Sequence, residues 1–247
     1  YYGYSQGMLG NFREGINLFE KALAFSQRID DSVGLAVIEV HYGLMLLAKG
    51  EGQNAIGHFQ NSFKYCEETK LEIVVGALWF CLGGGYYLLG EMEVAQNHLE
   101  KGLKIYMDSD RQDNLATIYN YLSLVKIDFN QLGEAQTHVE RALELAKANS
   151  EKSNEAWSRI IWGILMSRKD PTLHSEAEDS ILLGIETMKK LKLKPAYAKH
   201  YLDLGEFYAD CGQKKKALNI LKKAESMFKE MGMDYYLEKT QVVFGKL

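Results

Sequence analysis

Three histidines, His58, His98 and His138, recur at 40-residue intervals and are the first pattern in this chain that could do chemistry. A metal would need such ligands to converge within a few ångströms of one ion. Equivalent places in stacked helices instead lie about 8–10 Å apart, so the ladder reads as packing. Phosphate binding is the next chemistry to weigh. Gly52 to Gly57 followed by His58 lacks the Lys and Ser/Thr that a phosphate loop uses to reach phosphate and Mg2+. Gly83-Gly84-Gly85 completes no dinucleotide fingerprint and has no strand before it. No Ser, Thr or Cys sits in a nucleophile motif, and acid pairs such as Glu67-Glu68 are ordinary surface charge. No enzyme activity, catalytic residue, metal or cofactor is therefore expected.

Cys66, Cys81 and Cys211 are an odd number at no close spacing, which argues against a disulfide framework or a zinc cluster and for a reducing, cytoplasmic setting. The net charge of −4 argues against nucleic acid as the main partner, because counterion release needs a concentrated basic surface. Between Lys189 and Lys223 ten lysines face only Asp203, Glu206 and Asp210, which reads as a solvated end face. No apolar run reads as long enough to span a bilayer, so no membrane partner is expected. The chain opens Tyr1-Tyr2-Gly3 without methionine, inside what reads as a helix, and is expected to come from something longer.

With so little chemistry on offer, the elements that position these residues carry the reading. A column of small residues runs Gly15, Ala55, Ala95, Ala135, Ala177 and Ala217, at steps of 40 residues with one of 42. Four residues after each stands a bulky apolar residue (Phe19, Phe59, Leu99, Val139, Ile181, Leu221), and three further on another small one, from Ala22 to Ala224. Offsets of four and seven mark one helical face. Upstream lie Gly3, Gly43, Gly83, Ser123, Gly163 and Gly205, which must sit on a preceding helix crossing closely where side chains are small. Between the two helices stand Gly10, Gly50, Gly90, Asn130 and Gly212, suited to a left-handed helix end. At Asp170-Pro171, inside the longer step, that turn is remodelled. Only two prolines occur in the chain, which leaves the rest free to be helix.

The small-bulky-small set, together with the pairs Tyr42-Gly43, Leu82-Gly83, Trp162-Gly163 and Leu204-Gly205, resembles the tetratricopeptide repeat over essentially the whole chain. The 40-residue period is similar to an extended subgroup found in bacterial signal-transduction ATPases, cyclases and transcription activators and in the spindle-orientation adaptor. The expected fold is all-α: a right-handed α-solenoid of six hairpins (about 1–30, 31–70, 71–110, 111–150, 151–192 and 193–232) plus a capping helix over 233–247. It forms one domain of thirteen helices, the first cut short, and no strand.

The resemblance implies that the first helix of each hairpin lines a concave groove. Carried across by position, the lining is Val37, Val40, Leu44 and Leu47; then Ala77, Phe80, Gly84, Tyr87 and Leu88; then Asn120, Leu124 and Ile127; then Trp157, Ile160 and Ile164. The first repeat adds Tyr4 and Met8, and the last turns polar with Lys199, Glu206 and Asp210. Gly84 should let a partner approach the helix backbone. Chaperone-binding members carry lysines and asparagines here to clamp a carboxylate, whereas this chain offers only Asn120. An uncovered apolar strip marks an interaction site. The expected role is a protein-interaction scaffold or regulatory sensor that holds an apolar or amphipathic peptide or helix, which could come from another domain of the same chain or from a homodimer. The alternative is a small-molecule-sensing domain of a regulatory ATPase.

Overall fold

The computed structural model describes residues 1–109 and 111–247, and in these the chain is α-helical throughout, with no strand. Six hairpins follow one another: α1 (Tyr2–Met8) with α2 (Phe12–Arg28), α3 (Ser32–Lys49) with α4 (Gly52–Thr69), α5 (Glu72–Leu89) with α6 (Met92–Asp108), α7 (Leu115–Asp128) with α8 (Leu132–Ala148), α9 (Lys152–Lys169) with α10 (His174–Lys190), and α11 (Lys194–Asp210) with α12 (Lys214–Met231). A last helix, α13 (Asp234–Phe244), packs on α12 and α11.

Each turn within a hairpin ends its first helix with a residue in the left-handed region: Gly10, Gly50, Gly90, Asn130 and Gly212 all have positive φ. At Gly50 this lets the amides of Gly50 and Glu51 both donate to the Leu46 carbonyl, at 3.1 and 2.9 Å. The fifth hairpin differs. Pro171–Leu173 form a 3₁₀ turn, and the Asp170 carboxylate accepts from the Thr172 amide at 2.9 Å and from its hydroxyl at 2.7 Å. The two extra residues of the 42-residue step form this turn.

The columns of small residues are where paired helices cross. A Cβ on Gly163 would stand 2.7 Å from the Ala177 carbonyl oxygen, and one on Gly184 2.6 Å from that of Ala156. These are backbone atoms and cannot swing aside. In the fourth hairpin Ser123 replaces the glycine, and its hydroxyl donates to the Ala135 carbonyl at 2.9 Å. The three glycines of α5 serve three neighbours. Gly83 accommodates Leu99 of α6, Gly84 lies under the Tyr121 ring of α7, and Gly85 makes room for Ile56 of α4.

First helices are enclosed on several sides, which is why α3 and α5 are apolar nearly all round while second helices keep one polar face. By length and composition α3 and α5 could each cross a bilayer, which corrects the expectation that no apolar run reaches that length. Here both serve packing: Met45 and Leu78 are fully buried among helices of the stack.

The stack coils until its ends meet. α11 touches α1 and α3, and the Tyr235 hydroxyl of α13 donates to the Leu88 carbonyl of α5 at 2.7 Å. The lysine-rich stretch sits at this closing end, and four of its ten lysines are paired with carboxylates. Lys189 pairs with Glu186, Lys194 with Glu230, Lys199 with Asp203 and Lys216 with Glu178.

Two glycine-to-alanine changes separate crossing sites from open helix surface. Gly163→Ala should destabilise by about 1–3 kcal/mol through overpacking, despite alanine's better helix propensity. Gly57, in mid-α4 with nothing within 4 Å of where a methyl would stand, should become more stable on replacement by Ala, by up to about 1 kcal/mol. Urea midpoints read both; shifts in the same direction would refute the crossing assignment.

Candidate functional site

The concave face is a deep chamber that is partly open to solvent. A cavity of about 1000 Å³ is bounded by Tyr87, Leu124, Ile127, Trp157, Ile160 and Ile164 on one side, and by His200, Asp203, Glu206, Phe207 and Asp210 of α11 with Tyr235, Tyr236 and Lys239 of α13 on the other. A second, more apolar cavity of about 270 Å³ lies between Tyr4, Met8, Leu44, Leu47 and Gly84 and the facing residues Met188, Pro195 and His200. The two share Tyr87, Leu88, Leu124, Trp157, Lys199, His200 and Tyr236.

The large cavity opens where the repeat is irregular. α7 packs along α9, but α9 and α11 make at most marginal contact, and the gap is lined by Arg168, Pro171 and His174. The longer turn lies beside this gap, and the space between α9 and α11 is unfilled.

Five of the lining positions carried over from the family pattern, Val37, Val40, Ala77, Phe80 and Asn120, border neither cavity. Phe80 is buried and faces Tyr106 of its own hairpin partner, with ring centroids 6.2 Å apart. Val40 is buried as well, and the Val37 carbonyl accepts from His41 at 2.8 Å. Asn120 is fully buried between α7 and α9, where its side-chain oxygen accepts from Ser158 at 2.9 Å and its amide nitrogen has no partner. Gly84 does line the smaller cavity, but the Tyr121 ring fills the space a side chain would take, so its missing Cβ serves the neighbouring repeat. At Asn120 and Gly84 the next hairpin covers the position, whereas Phe80 is covered by its own hairpin partner. The histidine ladder also resolves into packing: His58 pairs with Glu39, while His98 and His138 lie against Trp79 and Tyr119.

An aromatic wall runs through the chamber. Tyr121 meets Trp157 edge-to-face at 4.9 Å and Tyr87 at 6.0 Å, and Tyr235 meets Tyr236 at 5.1 Å. Burial raises the pKa of Tyr87 well above the usual phenol value, helped by the Asp128 carboxylate, so its hydroxyl stays neutral.

The polar side is α11 and its surroundings. Burial pushes Asp203 upward, yet Lys199 at 3.7 Å and His200 at 2.7 Å outweigh it and hold the carboxyl down at about 2. Glu206, one turn on, is solvent-exposed within the open part of the cavity, with protein on several sides. Desolvation by that protein and then Asp203 raise it to about 7, and Lys239 and Lys246 offset only part of this. Burial lowers His200 despite Asp203, so it is neutral near pH 7. The site thus offers apolar and aromatic walls, ionised Asp203 and a carboxyl that titrates near neutrality. Asp128, Arg168, Asp203, Tyr235, Tyr236 and Lys239 were not singled out by the repeat pattern; the only signal for this side was the polar turn of the last repeat.

A tetratricopeptide repeat family model matches residues 74–148, within α5 to α8. That segment is of tetratricopeptide-repeat type, and solved structures share the chain's helical-repeat fold over nearly its whole length. The apo form of RapI is 16% identical, with a TM-score of 0.74, covering 92% of this chain and 82% of that one. A Rap conjugation gene regulator of plasmid pLS20, in complex with the Phr* peptide, is 16% identical with a TM-score of 0.76, covering 93% and 61%. A Rap protein complexed with competence and sporulation factor is 18% identical with a TM-score of 0.73, covering 94% and 62%. The chain therefore spans about three fifths of the length of the two peptide- or factor-bound structures. A search of curated proteins found no match.

Glu206 gives a test of the chamber's electrostatics. Its folded pKa lies above its unfolded one, so its stabilising contribution is complete below about pH 4.5 and is lost as pH rises through about 7. Asp203 has the opposite sign, losing its contribution only as pH falls below about 4 toward 2. Glu206→Gln should therefore gain melting temperature relative to wild type between pH 5 and 8. A difference that stays flat across that range would show that Glu206 is not held in the environment described.

Proposed function

We propose that this chain is a regulatory binding module that holds a short apolar or amphipathic segment of another polypeptide, or of its own parent protein, in the groove. Its role is binding rather than catalysis, in a cytoplasmic setting consistent with three unpaired cysteines. The observation that carries the reading is the strip of Tyr87, Leu124, Trp157 and Ile164. These are large apolar side chains left half-buried along one wall of a cavity that the rest of the stack does not fill. Such a strip is uncommon unless something covers it.

The cavity volume sets the size of the occupant. About 1000 Å³ lies at the top of the roughly 300–1,000 Å³ range of small-ligand sites. It suits a short segment and excludes a folded domain. Peptide complexes of proteins sharing this fold support the reading. Pockets around Trp157 and Leu124 would take apolar side chains, while Asp203 and Glu206 on the facing wall would set orientation and register. The half-buried residues at the chamber wall, Leu44, Tyr87, Leu124, Trp157 and Ile164, are the proposed contact set, with Leu47, Ile127 and Ile160 buried behind them as its support. Within the tetratricopeptide type, the extended 40-residue subgroup with its signalling regulators fits such a role.

Selection of a random short-peptide library on the immobilised chain tests this. Wild type should enrich a consensus with apolar residues. Leu124→Glu should keep its helicity and a stability within about 1 kcal/mol of wild type, yet lose at least about tenfold in affinity for the enriched peptides. Phe80→Glu, which buries an unpaired charge against Tyr106, should instead fail to fold. Enriched peptides that bind Leu124→Glu as well as wild type would place the partner outside the groove.

A further inference from the structure

The seam between the two ends of the stack is built on two of the glycine turns. Gly50 ends α3 with φ +99°, and a Cβ there would stand 3.0 Å from the Tyr236 ring and 3.1 Å from Tyr235 Cβ. Gly10 ends α1 with φ +92°, and a Cβ there would meet Met231 Sδ at 2.7 Å and Lys194 Cδ at 3.2 Å. Gly212, at the matching turn of the last hairpin, has nothing within 4 Å. The fourth hairpin makes the same turn with Asn130 at φ 57°. The turn alone therefore does not demand glycine. At Gly10 and Gly50 the missing side chain is also the surface on which the far end of the chain lies.

The bond from Tyr235 to the Leu88 carbonyl sits in the middle of this seam. Leu88 is in the last turn of α5, so its carbonyl is among those a helix end leaves without an intrahelical partner. Tyr235 satisfies it from 147 residues away. Tyr236, its neighbour, lines both cavities, and Tyr235 and Lys239 line the larger one. The same short helix therefore closes the seam and forms a wall of the chamber.

We propose that α13 is a strap: docked through Tyr235 and Tyr236 on the ends of α3 and α5, it closes the stack into a ring, and parting of this seam is what opens the groove to a partner. The proposal rests on the groove as the binding site only for its biological meaning; the opening itself exists with or without a partner. Opening exposes Tyr235, the Gly50 turn and the Leu88 carbonyl and also parts α11 from α1 and α3, while α12 keeps its contacts with α11. A partner that prefers the parted state shifts the balance by its differential affinity for the two states.

Gly50→Asn keeps a residue that the turn accepts in the fourth hairpin, while placing a side chain where Tyr235 and Tyr236 pack. Gly212→Asn is the matched control at an open turn. Both are made in a Trp79→Phe, Trp162→Phe background, so that fluorescence reports Trp157 inside the chamber. Without any ligand, Gly50→Asn should enlarge the radius of gyration in small-angle scattering. It should also raise acrylamide quenching of Trp157 by about twofold or more, as expected for local opening without loss of helicity. Tyr235→Phe, which removes only the bond to Leu88, should change both in the same direction by less, and Gly212→Asn should change neither. Unchanged scattering and quenching in Gly50→Asn would overturn the strap. So would an equal effect in Gly212→Asn, or a concentration-dependent dimer in which α13 closes on a second chain. Because acrylamide serves as the quencher, failure of peptides to bind would leave this result standing, and failure of the seam to open would leave peptide selection standing.

Discussion

The close approach of paired helices at the small-residue columns is the constraint from which the rest of the structure follows. At Gly163 and Gly184 each helix presses against a carbonyl oxygen of its partner at a distance where even a methyl group does not fit. That approach fixes the hairpin crossing, which sets how far each hairpin is rotated from the one before it. Repeated six times, the rotation brings α11 back to α1 and α3. Ser123 shows that the requirement is for closeness, not for glycine as such. A hydroxyl is tolerated there because it bonds to the carbonyl it approaches.

Coiling of this kind yields a surface that no single hairpin could make. Carboxylates on α11 face aromatic rings on α5 and α9 across the space left where α9 and α11 do not pack together. Asp203 and Glu206 sit one helical turn apart and differ strongly in acidity, because Lys199 and His200 attend the first and not the second. One face of one helix thus supplies a fixed negative charge and a carboxyl that gains or loses its proton near neutral pH.

The hairpins could be read from the sequence because their signal is local. Offsets of four and seven residues lie on one helix face, and the left-handed turns were marked by Gly or Asn at five of six places. The turns between hairpins were less visible, since the left-handed residues there, Asp30, Lys70, Asn114, Ser150 and Lys192, form no repeating column of one type. The groove was legible only in part. Trp157, Leu124 and Tyr87 line it, but Phe80, Val40 and Asn120 do not. Whether an inner-helix side chain faces the groove or the next hairpin depends on a rotation between repeats, which no pattern within a repeat encodes. The facing wall was still harder to see. Asp203, Tyr235 and Lys239 are brought opposite Trp157 by the accumulated rotation of the whole stack.

Closure of the ring changes what kind of object the stack is in folding terms. A linear solenoid holds together through nearest neighbours, so it can unravel hairpin by hairpin from either end. The bond from Tyr235 to Leu88 joins residues 147 apart, a separation at which an unfolded chain would face a sizeable closure entropy. Once the intervening hairpins have formed, they are a stiff arc that already presents one surface to the other, so this contact is made late and without a long search. From then on unravelling from one end must first break the seam. A chain whose contacts are otherwise low in contact order thereby gains the mutual support of its first and last repeats, which would ordinarily be its weakest.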